Sequence, residues 1–380
     1  MKGTFLTSAA LVAILALCVF GTKSTVSRAA TPGAAAAPAS AGCTPPTSVG
    51  ANVQETAWKL FVAATCPVNS NKYPYVVWEN WIEQSQLYTS SGEPMLLERG
   101  QRPRFHMSPL ARIMQERARG TREIRPEQLM PESANQDCNS NTWSKRTICE
   151  EARLNPSAQN YVTANKLTTK QGQIQFAKAG KTFDFAKPGV EVKVDWIQLS
   201  TCTNPPTGVH VENVNGTCYA LGGMHLISKL IDKWIWATFE PQNNFTNPQR
   251  CVVLGCDDPW GSLPPKTSGS PTNRTPALVA LMKSAGLAPE WGNYRLDGVQ
   301  TEFVAGGKPT VLGNSIIEGD NAGNPTLMKS ASCITCHDLS TINQQGQGLS
   351  PDFVIGAPAP LPPGQEYVRR DFVWSLALAQ

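Results

Sequence analysis

The chain has 380 residues, of which 41% are hydrophobic and 16% charged, and its formal net charge is +4. This composition predicts a globular protein with one large domain or two ordinary ones, and it excludes a disordered chain. The N-terminal residues Lys2, Lys23 and Arg28 supply most of the excess charge, so the rest is nearly neutral and gives no indication of nucleic-acid binding.

The N-terminus has the pattern of a secretory signal peptide, which we place at residues 1–29. An apolar run over residues 5–21 follows Lys2, and Ser27 and Ala29 supply the small residues of a cleavage site. We therefore expect export to the periplasm, with an uncleaved N-terminal membrane anchor as the alternative. No later apolar run has spanning length, so we expect no membrane span after removal of the signal.

An Ala- and Pro-rich stretch over residues 30–44 predicts a flexible spacer, and the folded domain is expected to cover residues 45–380. Three stretches of this domain predict helices by their apolar spacing and end signals, and these are "ETAWKLFVAA", "SPLARIMQERARG" and "TPALVALMKSAG". In the last two, Ser108 and Thr275 stand at N-cap positions before a proline, and Gly286 ends the third.

The middle of the chain is rich in predicted strands. In "GVEVKVDWIQL" four apolar residues from Val190 to Trp196 alternate with three charged ones, which predicts a strand buried on one face. "CYALGGMHLISKL" and "KWIWATFE" indicate two more strands, joined as a hairpin around Asp232 and Lys233. The sequence therefore predicts a loop-rich, mixed α+β single domain with central antiparallel strands.

The motif Cys-x-x-Cys-His, formed by Cys333, Cys336 and His337, has the most specific chemistry in the chain. Two cysteines three positions apart lie on one side of a helix, where both thiols can form thioether bonds to one haem, and the adjacent histidine becomes an axial iron ligand. We therefore predict one covalent haem c on a C-terminal helical segment over about residues 325–345. The alternatives are a zinc site, which needs a distant fourth ligand, and a redox dithiol.

The remaining cysteines predict disulfides. Removing Cys18 with the signal peptide and Cys333 and Cys336 with the haem leaves an even number, as expected in an oxidising compartment. Proximity along the chain pairs them as Cys43–Cys66, Cys138–Cys149, Cys202–Cys218 and Cys251–Cys256.

The second axial ligand has no candidate after His337, since no Met, His or Lys follows it. The ligand must come from upstream or the iron is five-coordinate, and the candidates are His106, His210, His225 and the upstream methionines. We favour His225 among the histidines. Its neighbour Met224 would point to the opposite face of a strand.

Eight arginines lie from Arg99 to Arg125, interleaved with glutamates. This pattern predicts a solvated helical surface. The alternatives are a docking patch for an acidic redox partner and a contact to haem propionates.

Several motifs over about residues 55–378 resemble, in their order, a bacterial family of exported single-haem c-type cytochrome proteins. They are "AWKLFVAA", "VVWENW", "GGMHLISK", "WIWATFE", "NYRLDGVQ", "LGNSIIEG", "SCITCH" and "DFVWSL". The resemblance implies that Cys333 and Cys336 attach the haem and that His337 is the proximal iron ligand. This chain departs from the pattern at Pro241, where we expect a histidine, and this leaves His225 as the nearer distal candidate.

Periplasmic electron transfer is the function that these features indicate, with a redox partner protein or a small-molecule electron donor or acceptor as the partner. The long sequence before the motif also fits a haem-dependent oxidoreductase or peroxidase-like enzyme with an open distal iron position. A sensing or assembly subunit with a structural haem is the third alternative.

Overall fold

The computed structural model of the chain describes residues 41–68, 76–89, 91–92, 94, 138–140, 146–214, 216–242, 255–262, 273–321, 327–349 and 354–379. They belong to one compact unit, Ala39–Gln380. The predicted signal peptide, most of the predicted spacer, the helix predicted after Ser108, the arginine run and His106 lie outside the described residues. Among the described helices, none is long and apolar enough to cross a membrane.

An antiparallel sheet forms the centre of the described fold, and its longest path runs in the order β1-β3-β4-β6-β7-β8. Two further strands lie off this path, since β2 pairs with β3 and β5 pairs with β6. The strands are β1 (Ile82–Glu83), β2 (Asn139–Ser140), β3 (Thr147–Leu154), β4 (Val190–Gln198), β5 (Val211–Val214), β6 (Thr217–Ser228), β7 (Ile235–Pro241) and β8 (Tyr294–Gln300). Two small pairs lie outside it, and they are β9 (Val304–Ala305) with β10 (Lys308–Pro309) and β11 (Thr341–Ile342) with β12 (Val368–Arg369).

Helices and single turns surround the sheet. The α-helices are α1 (Val53–Thr65), α2 (Gln84–Leu87), α3 (Pro156–Ala164), α4 (Lys170–Lys178), α5 (Pro276–Ala285) and α6 (Cys333–Asp338). A π-helix covers Ser315–Asn321, and short 3-10 turns occupy Ala41–Cys43, Trp78–Asn80, Pro289–Asn293, Leu327–Lys329 and Trp374–Leu378. The predicted α+β class with central antiparallel strands is therefore confirmed.

The predicted hairpin is confirmed as β6 and β7, whose chain reverses between Ser228 and Ile235. Its turn is closed by the Trp234 N–H, which donates to the Ile231 carbonyl at 3.0 Å. The prediction that β4 is buried on one face only is wrong, because Glu191 and Asp195 are buried as well as the valines. Segments from elsewhere in the chain cover the charged face, which alternation along one strand does not reveal.

One face of the sheet packs against α1 and α5. Phe61 of α1 stacks on Phe239 of β7 with 4.4 Å between ring centroids, and Leu278 of α5 joins the same core. The predicted end signals of α5 are confirmed. The Thr275 hydroxyl accepts the Leu278 N–H at 3.3 Å, and Gly286 takes the left-handed conformation after the helix with a φ of 64°.

The opposite face of the sheet is covered by α3, α4, the π-helix and the C-terminal segment. Val162 of α3, Phe176 of α4, Trp236 of β7 and Ile334 of α6 share its main core cluster. Asn314, the residue before the π-helix, approaches the sheet at Gly223, where an added Cβ would lie only 2.6 Å from its side-chain oxygen. This face carries the polar residues that surround the Cys-x-x-Cys-His motif.

Three of the predicted disulfides are present, and they are Cys43–Cys66, Cys138–Cys149 and Cys202–Cys218. Cys256 is also disulfide-bonded, whereas its predicted partner Cys251 lies outside the described residues. Cys43 ties a turn at the end of the predicted spacer to the end of α1, so the described fold begins within that stretch.

Candidate functional site

The Cys-x-x-Cys-His motif forms the short helix α6, which the sheet and the C-terminus hold in place. Gln300 at the end of β8 accepts the Ile334 N–H at 2.9 Å and donates to the Ser332 hydroxyl at 2.9 Å. The Trp374 indole donates to the Cys336 carbonyl at 3.1 Å. These contacts satisfy backbone groups at both ends of a helix that is too short to be stable alone.

The two cysteines of the motif are the free cysteines of the described chain. Burial raises the pKa of Cys333 well above its usual value and raises that of Cys336 to about 11. Both groups are therefore protonated thiols at neutral pH. A redox dithiol needs one thiolate as nucleophile, so this environment argues against the dithiol alternative.

His337 is oriented by the C-terminal segment. Its Nδ1 lies 2.8 Å from the carbonyl oxygen of Phe372, and its ring lies 4.5 Å from that of Trp236 between centroids. Because a carbonyl oxygen only accepts, Nδ1 carries the proton and Nε2 keeps its lone pair. Although His337 is partly exposed, desolvation lowers its pKa to about 3, so the imidazole is neutral at ordinary pH.

His225 lies on the same face of the sheet as the motif, between Lys193 of β4 and Thr238 of β7 in the register of the strands. The charges of Lys193 and His225 both act to lower the pKa of His337, after the larger effect of desolvation, which places them in its electrostatic surroundings. Met224 points the other way into the apolar core, as predicted.

Glu318 of the π-helix pairs with His225. Its two carboxylate oxygens lie 3.1 and 3.2 Å from His225 Nε2, and one of them accepts the Asn314 N–H at 2.7 Å. Burial acts to raise the pKa of Glu318, but the charge and hydrogen bond of His225 outweigh it and lower the pKa. The arrangement is a buried acid–base pair beside the motif.

A second ion pair lies next to it. Lys193 Nζ is 2.9 Å from a carboxylate oxygen of Glu150. Desolvation opposes the charge of Lys193, yet Glu150 and Asp195 raise its pKa above the usual value, so the ammonium persists at all ordinary pH. The surroundings of the motif therefore combine the Lys193 cation with a His–Glu pair.

The donor set fits thioether attachment better than a closed zinc site. Among the residues that the structure describes, one group of three His, Cys, Asp or Glu side chains converges within 4.8 Å, and it does not include the motif. A structural zinc ion needs four such atoms around one point. A covalent haem instead requires two thiols and an imidazole, and α6 carries all three.

Two residues of this site, Lys193 and Glu318, were not predicted from the sequence. Only the register of the strands and the path of the π-helix bring them to the motif. His210, which the sequence analysis offered as a distal ligand, lies instead against Glu79 and Glu212 in a separate cluster.

No family model, no curated protein and no solved structure matches this chain. The resemblance to exported single-haem c-type cytochrome proteins therefore stays a prediction.

Proposed function

We propose that the chain is a c-type haem protein that carries one haem on Cys333 and Cys336, has His337 as its proximal iron ligand, and transfers electrons. The observation that carries the proposal is the combination of two free thiols with a neutral histidine whose Nδ1 is fixed by the Phe372 carbonyl. Such a hydrogen bond on the second nitrogen orients a ligating imidazole and raises its basicity. When bound, the haem supplies a one-electron iron couple.

The surrounding residues suit this role. Trp236 packs beside the His337 ring, and Phe372 packs against Trp236 with 6.0 Å between ring centroids. Aromatic walls lower the local polarity, and this is one of the factors that set the reduction potential of a haem. The cation of Lys193 is a further charge that tunes the potential from the same face.

His225 can have either of two roles beside the proposed haem. As a distal ligand it would complete a six-coordinate iron and suit a simple electron carrier. Its Nε2, however, is hydrogen-bonded to Glu318 at 3.1 Å. A His–Glu pair of this kind also suits proton transfer at an open iron position, and this observation favours a haem-dependent oxidoreductase or peroxidase-like enzyme as the second candidate.

The proposed location is the periplasm, with a redox partner protein or a small-molecule donor or acceptor. The three disulfides support an oxidising compartment, since such bonds are rare in reducing ones. Export through the predicted signal peptide also fits, because thioether attachment of haem takes place outside the bacterial cytoplasm.

The absorption spectrum of the purified full-length protein tests the proposal. We expect a pyridine haemochrome of c type with one haem per chain. A low-spin ferrous form that does not respond to carbon monoxide would support the carrier, and a high-spin form that binds it would support the enzyme. A purified protein without haem c contradicts both versions.

A further inference from the structure

Glu79, His210 and Glu212 form a buried cluster away from the Cys-x-x-Cys-His motif. The ligand atoms of all three side chains lie within 4.8 Å of one another. His210 Nε2 is 2.8 Å from Glu79 Oε1 and 3.5 Å from Glu212 Oε1. One nitrogen and two carboxylate oxygens therefore lie close enough together to be ligands of one ion.

The His210 ring is fixed so that Nε2 faces the two acids. The backbone N–H of His210 donates to the Tyr294 hydroxyl at 3.2 Å, and its carbonyl accepts the Leu221 N–H at 2.9 Å. The imidazole stacks on Trp291 with 4.5 Å between centroids and an angle of 30°. The backbone bonds fix the main chain at His210, and the stacked Trp291 indole together with the Glu79 contact restricts the imidazole ring.

The two carboxylates come from separate parts of the chain. Glu79 lies in the turn Trp78–Asn80, and its Oε2 accepts the Val76 N–H at 3.2 Å, which directs Oε1 toward His210. Glu212 lies in β5, two residues after His210 and on the same face of the strand. An outer hydrogen bond on one oxygen is typical of ligating carboxylates.

The three side chains of this cluster are largely shielded from solvent. The side chain of Glu79 is fully buried, and the His210 and Glu212 side chains are only 6% and 11% exposed. Charged groups buried to this degree are either paired with one another or coordinate a metal ion.

We propose that Glu79, His210 and Glu212 bind a divalent transition-metal ion. One imidazole with two carboxylates is a ligand set that Zn²⁺ and Mn²⁺ both accept, and three protein ligands leave a position for water. The ion would tie the turn at Glu79 to β5, so its binding is expected to stabilise the fold. This metal site is independent of the proposed haem, so a test of one proposal does not affect the other.

Metal content and metal affinity of the full-length protein test the proposal. Elemental analysis of the protein purified without chelator should show about one divalent ion per chain beyond haem iron, or the chelated protein should take up one Zn²⁺ or Mn²⁺ by calorimetry. Zn²⁺ should then raise the melting temperature.

Glu212→Gln and His210→Gln should each weaken Zn²⁺ affinity at least about tenfold. Asp258→Asn, which alters a buried carboxylate that bonds Trp58, is the matched control and should keep wild-type affinity. If His210→Gln fails to fold, Glu212→Gln and the titration of the wild-type protein still decide whether the cluster binds a metal ion. The proposal would be overturned by a wild-type protein that takes up neither ion, or by variants that bind Zn²⁺ as tightly as wild type. The cluster of Glu79, His210 and Glu212 would then hold a proton instead of a metal ion.

Discussion

His337 Nδ1 lies 2.8 Å from the carbonyl oxygen of Phe372, a residue 35 positions further along the chain. This bond joins the Cys-x-x-Cys-His helix to the C-terminal segment and fixes which nitrogen of the imidazole is available. The haem proposal depends on this relationship, because a free Nε2 on a neutral ring is what an iron atom requires from its proximal ligand.

The role of His225 is tested by two substitutions. We expect His225→Ala to convert a low-spin iron to a high-spin form that binds carbon monoxide, because it removes the proposed distal ligand. Glu318→Gln removes only the hydrogen-bonded acid and should keep the iron low-spin while shifting its reduction potential. Absorption spectra and redox titration measure both effects.

An unchanged spectrum in His225→Ala would remove His225 from the ligand set. If Glu318→Gln and His225→Ala then both depress turnover with peroxide, the His–Glu pair acts in proton transfer, and the second candidate function replaces the first.

Glu191 gives the fold a predicted pH dependence. Desolvation raises its pKa to about 7, against an ordinary value of 4.5. As pH rises, the folded state therefore holds this proton after the unfolded state has released it. The contribution of the protonated Glu191 to the free energy of unfolding is complete below about pH 4.5 and is lost as pH rises through 7.

Replacing Glu191 by Gln mimics the protonated side chain. We expect no change in the free energy of unfolding at pH 4 and a gain of up to about 3 kcal/mol at pH 8, measured by denaturant titration. The partly exposed Glu290→Gln serves as the control and should change little at either pH. An equal effect of Glu191→Gln at both values contradicts the account.

The N-cap of α5 is a local test of the fold. Thr275→Ala removes the oxygen that accepts the Leu278 N–H, and we expect a loss of about 1 kcal/mol in the free energy of unfolding. Thr275→Ser keeps this oxygen and should remain close to wild type. Equal losses in the two variants would show that the threonine methyl group, rather than the cap, stabilises the helix.

Local signals in the sequence predicted much of the fold. Thr275 and Gly286 marked the ends of α5 because caps depend on a few adjacent residues. The alternation in β4 and the turn at Asp232 located strands, and proximity alone paired Cys202 with Cys218. All of these features depend on short stretches of chain.

The candidate sites depend on long-range geometry and were only partly predictable. The motif itself was visible, and so was His225, but the pairing of His225 with Glu318 crosses 93 residues. Glu79 and His210 meet across 131 residues, and no local pattern predicts that these two side chains come together. The alternation of residues within β4 gave no indication that other elements would cover the charged face of this strand.

Intact-mass measurement of the full-length protein, expressed with a haem-attachment system, tests the central claim most directly. We expect the wild-type chain to carry the mass of one haem after denaturation, and we expect loss of this covalent addition in the Cys333→Ala, Cys336→Ala double variant. Cys43→Ala, Cys66→Ala, which removes a disulfide instead, should keep it. A wild-type chain at its apoprotein mass, or a double variant that still carries covalent haem, would contradict the account.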